Sequence, residues 1–345
     1  MAEEHTGGAP DRDRGFPLSR IPLSPLSLAL LLAVLVLAFF TPGFFTVRNL
    51  RNVGTQVPVN AILAAGMTVV ILTGGIDLSV GSVHALCGVT AALILTQPAL
   101  ALSMGPWAVP LAVLTAVLLG ALLGACNGAV VAWIRIPPFI VTLALLRIAR
   151  GVAKHLTNGV PIGTQGPEVT GWEQINANWS QFRPLGLGYL AELVPFSFLV
   201  ALVVGACLAL LLGRTRFGRQ VYAIGSNETA ARLSGVPVAR VKLLAYILMG
   251  LLAGLSGAIE SAALQSGSPV TGEGYELNAI AAVVVGGTRL TGGQGSILGT
   301  YVGAILVIGV MNNALNLLLV PPFWQEVASG AIILVVALVD RLTRA

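Results

Sequence analysis

An aspartate lies in one of the most apolar parts of this 345-residue chain, within the segment TGGIDLSVGS at residues 73–82. Because glycine costs about 1 kcal/mol relative to alanine inside a helix, the two adjacent glycines predict a break between two apolar helices. We expect Asp77 to cap the second helix, with its carboxylate accepting the amides near Ser79 and Val80. A compatible alternative is that Asp77 borders a path or gate through the protein.

A second glycine-rich segment, VVVGGTRLTGGQGS at residues 283–296, also joins two apolar runs. Its five glycines disfavour a helix and predict a loop whose backbone lines a cavity or packs closely. Glu276 and Asn278 begin the short apolar run before it. A carboxylate inside a membrane is a functional candidate, but a helix start at the interface explains Glu276 equally well.

Three amide side chains share one turn of a later apolar run, in MNNALNLL. Amides inside a bilayer are costly unless they are hydrogen-bonded. They can bind a hydroxyl-rich substrate or join helices, and the sequence favours joining. The candidate residues for a translocation path or gate are Thr73, Gly74, Gly75, Asp77, Ser79, Ser82, Glu276, Asn278, Asn312 and Asn316.

A basic segment between two apolar runs, GRTRFGRQVYAIGSNETAARLSGVPVARVK, contains a short predicted helix. Ser226 or Asn227 can cap it, Ala230 and Leu233 share one face, and Gly235 ends it. Such a helix can dock on a cytoplasmic partner or simply link two spans. The candidate docking residues are Asn227, Glu228, Ala230, Ala231, Leu233, Ser234 and Gly235.

The sequence does not contain the motifs that would indicate an enzyme. It contains no GxxxxGK[ST] phosphate-binding motif and no Ser/His/Asp or metal-ligand cluster, and its histidines are His5, His84 and His155. Acidic residues are few inside the apolar runs, which argues against a proton relay, although Asp77 and Glu260 are exceptions. We therefore expect no catalytic site, metal or cofactor, and any ATP-driven function needs a nucleotide-binding domain on another chain.

The composition predicts the class of protein. Hydrophobic residues make up 56% of the chain, charged residues only 10%, and the mean hydropathy is +0.88, whereas soluble domains average about 25% charged residues. Continuous apolar runs, rather than alternating segments of about ten residues, exclude a β-barrel. The net charge of +5 then indicates membrane anchoring rather than nucleic-acid binding.

We therefore predict an all-α polytopic membrane protein with about ten transmembrane helices and broken or re-entrant segments near 74–78 and 286–295. Residues 1–25 are expected to form a disordered cytoplasmic tail, and 26–345 a single transmembrane domain. Within that domain, 157–192 form an outer loop and 214–241 a cytoplasmic loop. The apolar runs are 26–41, 55–73, 79–96, 107–133, 138–156, 193–213, 242–262, 276–288, 295–319 and 324–340.

Basic residues predict the orientation, because they concentrate in cytoplasmic loops. If both termini are cytoplasmic, thirteen of the nineteen Lys and Arg residues lie on the inner side. An N-terminus outside would invert this asymmetry. The thirteen are Arg12, Arg14, Arg20, Arg135, Arg214, Arg216, Arg219, Arg232, Arg240, Lys242, Arg289, Arg341 and Arg344.

From about residue 25 to its C-terminus, the chain closely resembles the permease subunits of ribose-type ABC sugar importers. TGGIDLSVGS is the most specific stretch. In order, it is followed by PPFIVTLALLRIARG at 137–151, YAIGSNETAARLSGV at 222–236, GYELNAIAAVVVGGTRLTGGQGSILGT at 274–300 and NNALNLL at 312–318.

The resemblance implies a permease in the cytoplasmic (inner) membrane that carries a pentose, hexose or related sugar by alternating access. It also implies three partners: a cytoplasmic ABC ATPase docked on the NETAARLSGV segment, an extracytoplasmic sugar-binding protein, and an identical or sister permease subunit. Asn278 stands where this family usually has aspartate, Arg289 where a small hydroxyl residue is common, and His84 where a small or apolar residue is usual.

Two other functions remain open at this point. The related permeases of branched-chain amino-acid importers share the broad architecture, and an ion-coupled secondary transporter needs no ATPase at all.

Overall fold

The computed structural model describes residue 32, residues 36–192 and residues 194–342. The predicted tail at 1–25 and most of the first apolar run, 26–41, lie outside the described residues. The described chain is mostly helical, and its fifteen named helices are α1 (Val47–Leu72), α2 (Val80–Thr96), α3 (Pro98–Met104), α4 (Ala108–Ala129), α5 (Pro138–Thr157), α6 (Trp172–Phe182), α7 (Pro184–Leu187), α8 (Phe196–Arg214), α9 (Arg216–Ser226), α10 (Glu228–Leu233), α11 (Val238–Leu264), α12 (Tyr275–Val285), α13 (Ile297–Ala304), α14 (Asn313–Leu317) and α15 (Pro322–Leu342).

Short elements complete the described chain. A 3₁₀ turn, Gly105–Trp107, joins α3 to α4, and two π-helical stretches, Val130–Ile134 and Ile305–Asn312, extend α4 and α13. Four two-residue strands form two antiparallel pairs: β1 (Ile162–Gly163) with β4 (Ser266–Gly267), and β2 (Tyr189–Leu190) with β3 (Val194–Pro195).

Five helical runs are long and apolar enough to cross a membrane, which confirms the multi-pass helical class. They are Val47–Leu72, Pro98–Ile134, Phe196–Arg214, Val238–Leu264 and Ile297–Leu317. The apolar helices α2 and α12 are shorter than a full span. The expected number of about ten spans stays a prediction.

Helix α1 lies at the centre of the molecule. Every residue from 57 to 72 is buried, as expected of a helix surrounded by other helices. Its neighbours include α8, α11, α12 and α13. The central position of α1 places both of its ends among the elements that carry the candidate functional residues.

The two predicted breakpoints are present and meet each other in space. Helix α1 ends at Leu72, and Gly74 adopts a positive φ of 80°. The loop after α12 returns to this point, where the Gly293 amide donates to the Leu72 carbonyl oxygen at 3.1 Å. The sequence treated the two glycine-rich segments as similar but separate, whereas the fold joins them.

The segment between α11 and α12 turns back into the helical bundle. Residues 265–274 leave the end of α11, and Gly272 then packs against Gly81 and His84 in the first turns of α2. Helix α12 therefore starts deep in the protein, as predicted for a re-entrant or broken segment.

The predicted outer loop, 157–192, has more structure than expected. It contains α6, α7 and parts of both strand pairs. Trp179 and Phe182 of α6 are fully buried and pack edge to face, so this segment contributes to the apolar core of the protein.

A tight helix crossing joins α4 to α11. Glycines at 120 and 124 face glycines at 250 and 254, and a Cβ atom added to Gly250 would overlap the Gly120 carbonyl oxygen. Small residues at such crossings allow backbones to approach closely, which favours helix association inside a bilayer.

We expect Gly250→Ala to lower thermal stability, because the new methyl group must push α4 away from α11. Overpacking of this kind costs about 1–3 kcal/mol. The measurement is the unfolding midpoint of the purified protein in detergent. Gly213→Ala is the matched control: Gly213 also lies in a helix, but nothing lies within 4 Å of an added Cβ. A loss of stability in the control equal to that in Gly250→Ala would contradict this account.

Candidate functional site

A polar cavity of about 350 Å³ lies between the first half of α1, the end of α11, the start of α12 and the Ile305–Asn312 stretch with α14. Six amide side chains line it, together with Thr55, Glu260 and Tyr275. The six are Gln56, Asn60, Asn278, Asn312, Asn316 and Gln325. So many amides around one space inside an apolar protein indicate a binding site for a polar, uncharged molecule.

Two residues that line this cavity carry unpaired acceptors. The side-chain oxygens of Asn60 and Asn312 are buried and have no hydrogen-bond partner. A buried polar atom without a partner costs about 1–3 kcal/mol. Asn316, in contrast, accepts from the Gln325 side chain at 2.8 Å, which is the helix-joining role that the sequence favoured for these amides.

The structure divides the predicted path and gate residues into two groups. Asn278, Asn312 and Asn316 line the cavity. Glu276 lies one residue from Tyr275 but does not line the cavity; its carboxylate packs beside Gly81. The remaining candidates, Thr73, Gly74, Gly75, Asp77, Ser79 and Ser82, lie at or just beyond the other end of α1.

The turn between α1 and α2 is buried and hydrogen-bonded. One carboxylate oxygen of Asp77 accepts from the Ser79 amide at 2.9 Å and from the Ser79 hydroxyl at 2.6 Å. Asn127 of α4 donates to the same hydroxyl oxygen at 2.9 Å. Asp77 is 2% exposed, so this polar cluster is sealed inside the protein rather than at its surface.

The predicted capping role of Asp77 differs in detail from the structure. Helix α2 starts at Val80, its N-cap residue is Ser79, and Ser79 makes no side-chain capping bond. Asp77 therefore closes the turn just before the helix, and of the two amides expected near Ser79 and Val80 it binds only that of Ser79. The helix starts two residues later than capping by Asp77 requires, at Val80 rather than at Leu78.

Helix α1 separates the cavity from this turn. Asn60 lines the cavity and Leu72 ends the helix, and twelve residues of α-helix span about 18 Å. The protein thus has a polar cavity at one level and a sealed, glycine-rich junction at another.

Glu260 is a further functional candidate. The sequence identified it only as an acidic residue inside an apolar run. Its Oε2 lies 2.6 Å from His84 Nε2, and the Tyr275 hydroxyl donates to its Oε1 at 2.7 Å. His84 Nδ1 lies 2.8 Å from the Ser256 hydroxyl. The spacing of Ser256 and Glu260, one helix turn apart, together with the unusual His84, was the available signal, but only the fold brings α2 and α11 together.

The predicted docking helix is α10. Asn227 caps it by accepting from the Ala230 amide at 2.9 Å, and Gly235 follows it with a φ of 81°. Ala231 is buried against the protein, whereas Leu233 is 85% exposed and Ala230 is also exposed. Ser234 is the C-terminal cap residue. An exposed leucine on a capped helix outside the spans fits a docking surface.

An ion pair holds α10 against α11. Glu228 pairs with Lys242 of α11 at 2.7 Å, and within α10 it also pairs with Arg232 at 2.7 Å. The hydrogen bond from Lys242, opposed in part by burial, lowers the pKa of the Glu228 carboxyl. The carboxylate therefore stays ionised at neutral pH, and this ion pair fixes the docking helix to a membrane-spanning helix.

Helix α9 links α10 to the glycine junction. Gly225 lies directly against the Leu72 carbonyl and Gly293, and the Tyr222 hydroxyl donates to the Gly295 carbonyl at 2.9 Å. A displacement of α9 and α10 would therefore act on both breakpoints at once.

Comparisons with known proteins agree with this arrangement. The family described as branched-chain amino acid transport system / permease component matches residues 49–337. The ribose import permease protein RbsC of Escherichia coli K12 is 45% identical over 86% of each chain, and RbsC of Bacillus subtilis 168 is 43% identical over 85% of this chain and 84% of its own. The L-arabinose transport system permease protein AraH of Escherichia coli K12 is 39% identical over 86% of this chain and 83% of its own. No solved structure matches the chain.

Replacement of Asp77 tests whether the turn needs its hydrogen bonds or its charge. Asp77→Ala leaves the buried amide and hydroxyl of Ser79 without their acceptor, at a cost of about 1–3 kcal/mol for each. Asp77→Asn retains an oxygen in the same place. We expect the alanine variant to unfold at a clearly lower temperature and the asparagine variant to stay near wild type. An equal decrease of the unfolding temperature in both variants would show that the turn depends on the negative charge of Asp77.

Proposed function

The chain belongs to the family described as branched-chain amino acid transport system / permease component, and we propose that it forms the path for a monosaccharide through an ATP-binding-cassette importer. It is a multi-pass membrane transport subunit and not an enzyme. The family assignment rests on a match over residues 49–337 and on relatives up to 45% identical.

The lining of the cavity is the observation that carries the choice of cargo. A monosaccharide is uncharged and presents several hydroxyl groups, each of which both donates and accepts. Amide side chains also offer both donors and acceptors, and six of them surround this space. They can replace the water around a sugar without burying an unpaired charge.

A branched-chain amino acid fits this cavity poorly. Its carboxylate is best matched by a cation once it leaves water, and none of the described residues that line the cavity is Lys, Arg or His. The named relatives are permeases for ribose and L-arabinose. The amino-acid alternative is therefore not favoured, although the family is described by branched-chain amino acid transport.

An ion-coupled secondary transporter is not favoured either. The matching family and its named relatives are components of import systems in which the permease is one subunit. The exposed face of α10 gives such a system a place for its ATPase.

We assign different roles to the two groups of candidate residues. Asn278, Asn312 and Asn316 line the path. Thr73, Gly74, Gly75, Asp77, Ser79 and Ser82 form the gate at the far end of α1, and Glu276 supports it beside Gly81. In alternating access, the gate opens when α9 and α10 move and pull the junction at Leu72 and Gly293 apart.

We propose three protein partners. A cytoplasmic ABC ATPase docks on α10 through Asn227, Glu228, Ala230, Ala231, Leu233, Ser234 and Gly235. An extracytoplasmic binding protein delivers the sugar to the cavity side, and a second permease subunit, identical or related, completes the pore. Both termini then lie on the cytoplasmic side of the inner membrane, and the chain crosses it about ten times.

Uptake of labelled sugars tests the assigned cargo. The permease is reconstituted with its ATPase and binding protein, and tritiated D-ribose, L-arabinose and D-xylose are offered with and without ATP. We expect ATP-dependent uptake of at least one of these sugars that excess leucine does not compete. Competition by leucine but not by sugar would support the amino-acid alternative, and uptake that follows an ion gradient without the ATPase would support a secondary transporter.

Charge on the exposed face of α10 tests the docking role. We expect Ala230→Asp combined with Leu233→Asp to abolish co-purification of the ATPase and to reduce uptake at least about ten-fold, because two carboxylates oppose an apolar contact. The permease itself should still insert, since both positions are exposed. Ala177→Asp, at an exposed position of α6, is the control and should leave co-purification intact. Normal ATPase binding by the double variant would exclude this surface.

A further inference from the structure

We propose that Glu260 is a specificity-determining residue, whose carboxylate accepts a hydrogen bond from one hydroxyl group of the transported sugar. This inference rests on the proposed function and adds to it a residue that lies outside the predicted path and gate set. It depends on the direction of each hydrogen bond around the carboxylate.

The hydroxyl of Ser256 sets the first direction. It donates its single proton to the Ala253 carbonyl oxygen at 2.9 Å, because a carbonyl can only accept. Toward His84 Nδ1, 2.8 Å away, the same hydroxyl can therefore act only as an acceptor. The histidine consequently carries a proton on Nδ1.

The second direction concerns the pair formed by His84 and Glu260. Nε2 and Oε2 lie 2.6 Å apart, which requires one proton between them. Whichever atom holds that proton, the pair is neutral overall, so its burial does not leave a net charge in the membrane.

The third direction concerns the other carboxylate oxygen of Glu260, Oε1, and the hydrogen bonds that it can accept. Oε2 is buried, while 17% of the Glu260 side chain is exposed. Oε1 accepts one hydrogen bond from the Tyr275 hydroxyl and retains a lone pair. Glu260 and Tyr275 both line the cavity, and this part of its wall offers acceptors but no free donor.

A cavity wall that offers only hydrogen-bond acceptors selects ligands that carry hydrogen-bond donors. A hydroxyl group can donate to Oε1, whereas an ether oxygen, a carbonyl or a carboxylate cannot. A ligand that lacks the donor leaves the carboxylate without its bond, and sites of this kind discriminate strongly against such analogues. His84 acts through Glu260 as a positioning residue, since its Nε2 lies against Oε2 of that carboxylate.

Deoxy sugars test the inference in the reconstituted complex with its ATPase and binding protein. Among D-ribose, L-arabinose and D-xylose, each sugar that wild type transports is compared with its monodeoxy analogues, and the ratio of initial uptake rates is taken for each hydroxyl. The same ratios are measured in Glu260→Leu. Because both proteins use the same binding protein, its own selectivity cancels when the ratios are compared.

We expect one hydroxyl whose removal slows wild-type uptake at least about ten-fold but changes uptake by Glu260→Leu less than about two-fold. The proposal would be overturned if, for every analogue, the ratio of uptake rates were the same in wild type and in Glu260→Leu. If wild type transports none of the three sugars, the proposed cargo itself fails, and that outcome is distinct because no ratio exists to compare.

Further variants decide the matter if Glu260→Leu does not assemble. Glu260→Gln keeps the size of the side chain and a neutral acceptor, so its discrimination should be intermediate. His84→Gln keeps an N–H group near Glu260 and should retain the ratios that His84→Phe loses. Equal ratios in wild type, Glu260→Gln and His84→Phe would also overturn the proposal, whereas a purely structural role would lower all rates together.

Discussion

Hydrogen-bonding groups inside a bilayer have no water to pair with, so each must find its partner within the protein. This constraint governs every interruption of the helices here. At the end of α1, Asp77, Ser79 and Asn127 satisfy one another, and the Leu72 carbonyl finds the amide of Gly293. Some buried polar atoms remain without a partner, both in residues of the cavity wall, Asn60 and Asn312, and beside the glycine-rich junction, at Tyr246 and Thr288.

The same constraint explains why the two breakpoints must meet. A broken helix exposes carbonyl and amide groups, and a second broken segment can supply the complementary groups at close range. Only residues without side chains allow that approach: a Cβ atom on Gly225 would overlap the Leu72 carbonyl oxygen. The glycines therefore serve contact between segments as much as flexibility within one segment. Because α9 takes part in this contact, the docking helix beyond it has a short physical route to the gate.

The sequence was informative wherever the signal is local. Apolar runs, the breaks at the glycine pairs and the cap of α10 by Asn227 depend on neighbouring residues, and the structure confirms them. The cluster of amides in MNNALNLL was likewise visible, although it could not reveal that Gln56, Asn60 and Asn278 complete the same cavity. Those residues come from α1 and α12, and only the packing of helices distant in sequence brings them together. The order within 157–192 was missed for the same reason, since Trp179 and Phe182 make a core only when folded.

Glu260 shows most clearly what could not be predicted from the sequence alone. A carboxylate in an apolar helix suggests either an exposed interface position or a costly buried charge, and the sequence alone does not decide between them. In the fold, His84 from α2 and Tyr275 from α12 reach this carboxylate, and a neutral pair replaces an isolated charge. A histidine at 84 is thus explained by a glutamate 176 positions later. The cost of placing the pair in the membrane is low while it stays intact, so the carboxylate can serve the cavity without weakening the fold.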